Sequence, residues 1–113
     1  MESIMQKSCF SKYSGEDGVC IALRHPEYFE GKCYPDLFPK KSFLFKYFED
    51  HDEEAYAKAY HEQVLSKLDP LKVWNDLKDS TILCWEGSGK FCHRHLVAAW
   101  LEKSLRVKIK ESR

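Results

Sequence analysis

Two thiols, a carboxylate, a lysine, two imidazoles and a guanidinium fall within one short stretch, Cys84-Trp85-Glu86-Gly87-Ser88-Gly89-Lys90-Phe91-Cys92-His93-Arg94-His95. An apolar run, Thr81-Ile82-Leu83, precedes it, and an apolar helical pattern, Leu96 to Leu101, follows. That order reads as strand, glycine loop, helix. A helix N-terminus offers unpaired N–H groups and the positive end of a dipole, so anions collect there. Gly87, Ser88 and Gly89 allow close backbone approach, and Lys90 and Arg94 supply charge. In the same turn a thiol beside a helix start and near a histidine becomes a thiolate nucleophile. Cys92 fits that role, with His93 and Glu86 as general acid–base partners.

Two further readings compete. Lys90 follows Cys84 at the spacing of the Cys-x5-Arg loop of cysteine phosphatases, but lysine lacks the guanidinium fork and Glu86 repels phosphate. Metal binding by Cys84, Cys92, His93 and His95 matches no usual close-ligand spacing. Neighbours such as Cys92 and His93 also diverge by about 100° if both are helical. No metal is therefore assigned, and the sequence names no cofactor.

The elements that hold this stretch are legible in outline. Val19-Cys20-Ile21-Ala22-Leu23 reads as a buried strand with Arg24 and His25 at its C-terminal end. Residues 26–40 carry three prolines and Tyr28, Phe29, Tyr34 and Phe38, the mark of an ordered loop. A short helix fits residues 41–48. Asp52 opens a longer one to about Leu68, with Tyr56, Tyr60, Val64 and Leu68 as one stripe. Those tyrosines and Trp74 read as core rather than as a stacking platform. Asp69-Pro70 is a cap and first helical residue, with Leu71, Trp74 and Leu77 facing inward. Ser80 to Glu86 is a second strand, Phe91 to about Leu105 the last helix, and Arg106 to Lys110 an edge strand. On that last helix Leu96, Val97, Trp100, Leu101 and Leu105 define the buried side. His93 falls near its middle, Cys92 and Arg94 on its edges, and His95 on the solvent side. Residues 1–17 read as a polar, turn-rich arm.

Alternating strands and helices predict a single α/β domain over residues 1–113, in two or three layers around a short, mostly parallel sheet. Ligands in such folds gather outside the C-terminal strand ends, where Arg24 and Glu86-Gly87 both fall. The 113 residues include 18 Lys plus Arg and 18 Asp plus Glu, a net charge of zero, which argues against an extended nucleic-acid surface but not against a local basic pocket. No secretory pattern and no membrane-length apolar run is present, which predicts a cytoplasmic protein whose five cysteines are reduced. Cys20 and Cys33 read as small buried hydrophobes.

The segment Ile82-Leu83-Cys84-Trp85-Glu86 followed by Phe91-Cys92-His93-Arg94-His95-Leu96 resembles the family catalogued as domain of unknown function 488, in its short bacterial and phage members. The resemblance is strong over residues 80–102 and extends over 18–102, with Arg24 matching a strand arginine and Tyr56 and Tyr60 a tyrosine-rich helix. Many members carry Asp two residues before that arginine; this chain has Ala22, so no role passes to that position. The resemblance implies a small α/β domain of Rossmann-like character without implying a reaction.

Two functions from different classes fit. In the first, the turn binds an anionic, nucleotide-like or phosphate-containing ligand through Arg24, Gly87, Ser88, Gly89, Lys90 and Arg94, with Cys92, His93 and Glu86 performing any chemistry. In the second, the chain is a non-catalytic interaction or regulatory module whose Cys-His-Arg motif is a structural lock.

Overall fold

The computed structural model describes residues 5–13, 15–85 and 91–111. Five strands, β1 (Met5–Cys9), β2 (Gly18–Cys20), β3 (Lys32–Cys33), β4 (Thr81–Cys84) and β5 (Ile109–Glu111), form one sheet in the order β3-β2-β4-β1-β5. Every pairing is parallel; Cys9 lies opposite Cys84, and Cys20 opposite Leu83. The helices are α1 (Lys41–Asp50), α2 (Glu53–Gln63), α3 (Pro70–Leu77) and α4 (His93–Leu105), with short 3₁₀ turns at Pro35–Leu37 and Leu65–Lys67. This is a small α/β fold.

The helices start where their caps dictate. The Asp52 carboxylate accepts from the Ala55 N–H and opens α2, and that of Asp69 accepts from Leu71 ahead of Pro70 in α3. Side-chain alternation divides the core by face. Val19 and Ile82 join Met5 and Ile109 in a cluster with Phe43 of α1, Tyr56 and Tyr60 of α2, Val73 and Leu77 of α3, and Val97 and Leu101 of α4. Cys20 and Leu83 belong to a second cluster with Phe10 and Ala22, against which Tyr13, Phe29 and Phe38 pack. All four helices thus gather on one face of the sheet, while aromatic loop residues cover the other. Gly18 is required by that second packing, because a Cβ there would lie 2.6 Å from the Tyr13 ring and 2.7 Å from Leu83.

Several elements depart from the sequence-based expectation. Residues 5–9, expected within a polar, turn-rich arm, form β1, an interior strand between β4 and β5. Met5 and Cys9 are buried, and so is Ser8. The segment Met5-Gln6-Lys7-Ser8-Cys9 has no apolar run, and it is its backbone pairing on both sides that makes it a strand. The loop 26–40 contains β3 and a 3₁₀ turn. The long helix expected to reach Leu68 ends at Gln63 and resumes as a 3₁₀ turn. Leu71 is exposed, and Val73 takes the inward position on α3. Cys20 is buried as expected, whereas Cys33 is exposed.

The sheet order creates a reversal of direction. From β2 the chain steps outward to β3, and from β4 it crosses through α4 over β1 to β5. The adjacent C-terminal ends of β2 and β4 therefore send the chain to opposite sides, which leaves a crevice between them.

Candidate functional site

A cavity of about 370 Å³ occupies that crevice. Its strand wall is Ala22, Leu23 and Arg24 beyond β2, with Cys84 and Trp85 at the end of β4. Its helical wall is Lys41, Leu44, Phe45, Tyr47 and Phe48 of α1 and Tyr56 of α2, and Phe91, Cys92 and His93 close the side at the start of α4. The lining is largely aromatic, with two cations, Arg24 and Lys41, both exposed. The indole Nε1–H of Trp85 donates to the Arg24 carbonyl at 2.7 Å, tying the two strand exits together. Phe10 packs edge-on against Trp85, at 5.3 Å between centroids. The α1 aromatics Phe45 and Phe48 are 53% and 57% exposed, so an apolar rim faces solvent.

Cys92 is the N-cap of α4, with extended backbone angles (φ −159°, ψ 148°). This removes the helical divergence assumed between Cys92 and His93, and the two side chains converge. Cys84 and Cys92 are joined by a disulfide, which corrects the expectation that all five thiols are free. Cys9, Cys20 and Cys33 are unpaired thiols, and burial pushes the Cys20 thiol up to about 12.

His93 is buried at the sheet end, on the inward side of α4 as expected. Its Nε2 lies 2.7 Å from the Ile21 carbonyl oxygen. A carbonyl only accepts, so Nε2 donates, and in the neutral ring Nδ1 holds a lone pair. That Nδ1 faces the Cys92 sulfur at 3.7 Å. Burial lowers the His93 pKa; the Ile21 hydrogen bond partly opposes this, and the charges of Arg94 and His95 add to it, leaving a value of about 4. The ring is therefore neutral at physiological pH.

Arg94 occupies a place the sequence did not predict. It is fully buried and does not line the cavity. Its Nε and Nη2 donate to the two carboxylate oxygens of Glu111 at 3.2 and 2.8 Å, and Nη1 donates to the Cys84 sulfur at 2.9 Å. The fork joins the start of α4 to β5 and to the end of β4. The expected ligand-binding arginine is in its geometry a structural tie. His93 holds the Ile21 carbonyl, and Arg94 holds Glu111. His95, expected at the surface, is partly buried.

Of the other residues expected at the site, Arg24, Cys92 and His93 meet at the cavity. Glu86, Gly87, Ser88, Gly89 and Lys90 lie outside the described residues. Lys41, Phe45, Phe48 and Trp85 were not singled out as site residues in the sequence. Phe45 and Phe48 are exposed on the short helix that begins with Lys41, and Tyr56 is at once core and cavity wall.

The family model described as the active DUF488-N3 subclade, DUF488-N3a, matches residues 20–105. The chain belongs to the DUF488 family. The matched span starts at the end of β2 and closes with α4, so it takes in the whole lining of the cavity and leaves β1 and β5 outside. No curated protein and no solved structure matches the chain. Among the described residues, no helix is long and apolar enough to cross a membrane.

Proposed function

We propose that the cavity binds an anionic, nucleotide-like ligand, and that Cys92 and His93 form its chemical end. The observation that carries this reading is the combination of an aromatic lining with two cations at a strand-reversal crevice. A cavity of about 370 Å³ falls in the range of small-molecule sites. Aromatic side chains such as Phe45, Phe48 and Trp85 suit a planar ring, since stacking on an aromatic is worth about 1–3 kcal/mol per base. Arg24 and Lys41 at the walls answer a phosphate or carboxylate. The first turn of α4 carries no acidic residue, so its positive end is not neutralised from within the turn. The word "active" in the subclade's description agrees with chemistry at this end.

A thermal-shift screen against nucleoside monophosphates, free nucleosides and inorganic phosphate tests the reading. A nucleoside monophosphate raises the melting temperature of the wild type and does so less for Phe48→Ala, whose ring is exposed and whose loss leaves the core intact. Unchanged melting temperatures with every ligand would favour the interaction module. One observation supports that second reading: Arg94 and His93 each serve a structural contact, as the lock requires.

A further inference from the structure

We infer that, with the Cys84–Cys92 disulfide reduced, Cys84, Cys92 and His93 form a binding site for a thiophilic divalent cation, zinc by chemical class, whose open fourth position faces the cavity. The inference rests on the reading of Cys92 and His93 as the chemical end of the cavity and names the chemistry there. Three ligand atoms, Sγ of Cys84, Sγ of Cys92 and a ring nitrogen of His93, lie within 4.8 Å of one another, and all three residues are buried. Two sulfurs and one imidazole are a donor set that zinc takes in sites that keep one position for water or substrate. All three residues also line the cavity, so that position has somewhere to open.

The surroundings suit a metal ligand set. The histidine of such a site donates its second N–H to a carbonyl or carboxylate, which fixes the ring and directs the other nitrogen at the metal. His93 does this: Nε2 is committed to the Ile21 carbonyl, and Nδ1 points to the Cys92 sulfur. Arg94 donates to the Cys84 sulfur, an N–H···S contact that supports a thiolate. Its charge is answered by Glu111 on the other side of the guanidinium, so it does not add an uncompensated cation beside the site. The extended angles of Cys92 bring the neighbouring Cys92 and His93 onto one centre.

A phosphine attacks one sulfur and breaks the S–S bond; water then carries its oxygen to phosphorus, giving the phosphine oxide and two thiols. The cation displaces one proton from each thiol, so two protons are released per ion bound. Hydrogen peroxide takes two electrons from the two thiolates, re-forming the disulfide and leaving as two hydroxide ions, which removes both sulfur ligands and expels the ion.

The test uses the full chain, stripped of metal, in two forms: reduced with tris(2-carboxyethyl)phosphine under argon, and oxidised. Each is titrated with cobalt(II) alone, followed by optical absorption, and then with zinc. The reduced protein is expected to bind one cobalt per chain, with sulfur-to-cobalt charge transfer and the intense visible bands of a tetrahedral ion, and zinc to abolish them. The oxidised protein is expected to show neither. Cys33→Ser, at an exposed thiol that is not one of the three ligands, keeps the signal, whereas Cys84→Ser, which leaves one sulfur ligand, loses at least about half of the charge-transfer intensity. A reduced wild type that keeps its circular dichroism yet shows no saturable cobalt signal overturns the inference. So does equal binding by the oxidised form. No nucleotide enters this experiment, so its failure and that of the ligand reading are separately visible.

Discussion

Arg94 is the residue at which sequence and structure lead to opposite experiments. An arginine in the first turn of a helix opposes the dipole, so the sequence predicts that Arg94→Ala leaves the fold intact and removes an anion site. The structure buries it in a fork with Glu111 and against Cys84. Removing one partner of a buried pair costs about 3–5 kcal/mol, and since Glu111 is partly exposed the loss belongs at the lower end, about 3 kcal/mol. Urea unfolding of Arg94→Ala measures this, and an unchanged midpoint would contradict the fork. Burial alone would raise the Glu111 carboxyl; the hydrogen bonds and charge of Arg94 outweigh it, with help from His95 and Lys7, and hold it below its ordinary 4.5. A carboxylate whose folded pKa is depressed stabilises the fold fully above its unfolded pKa, and that stability fades as pH falls toward the folded value. Stability measured from pH 6 downward should therefore drop less steeply in Glu111→Gln than in the wild type. The inward placing of His93 was legible from helical phase. The burial of Arg94 was not, because its partner lies on a strand 17 residues away and periodicity does not report tertiary pairing.

At the scale of elements, β4 holds the sheet together and β1 stands beside it. Leu83 is fully buried between Phe10, Cys20 and Ala22. Leu83→Asp puts an unpaired charge there, costing several kcal/mol against a typical total of about 5–15, and should leave the chain unfolded by near-ultraviolet circular dichroism. Deleting residues 1–9 removes an interior strand and exposes the paired edges of β4 and β5, so that truncation should also fail to fold. A folded truncation would make this segment the dispensable arm that its composition suggests. Strands β2 and β4 were legible as apolar runs bounded by turn residues, and α3 from Asp69-Pro70. The strand β1 was hidden because Gln6, Lys7 and Ser8 carry no apolar signal, and β3 because it is two exposed residues between prolines and aromatics.

At the scale of the whole molecule, the order β3-β2-β4-β1-β5 places a crevice where α1, α2 and α4 meet two strand ends. The sequence located this end of the sheet from Arg24 and the strand–loop–helix turn. It could not name Lys41, Phe45 and Phe48, because a helix reaches the crevice only through packing that no local pattern encodes. For the proposed binding of an aromatic ring together with an anionic group in this crevice, the two cations give the sharpest comparison. Isothermal titration of a nucleoside 5′-monophosphate and of its parent nucleoside into the wild type and into Arg24→Ala/Lys41→Ala measures both parts at once. Both cations are exposed, so the double variant should keep its fold. The wild type is expected to bind the monophosphate at least about tenfold more tightly than the nucleoside, about 1.4 kcal/mol, and the double variant to lose that preference. A folded wild type that binds neither ligand, or a double variant that retains the full preference for the phosphate, would contradict the account.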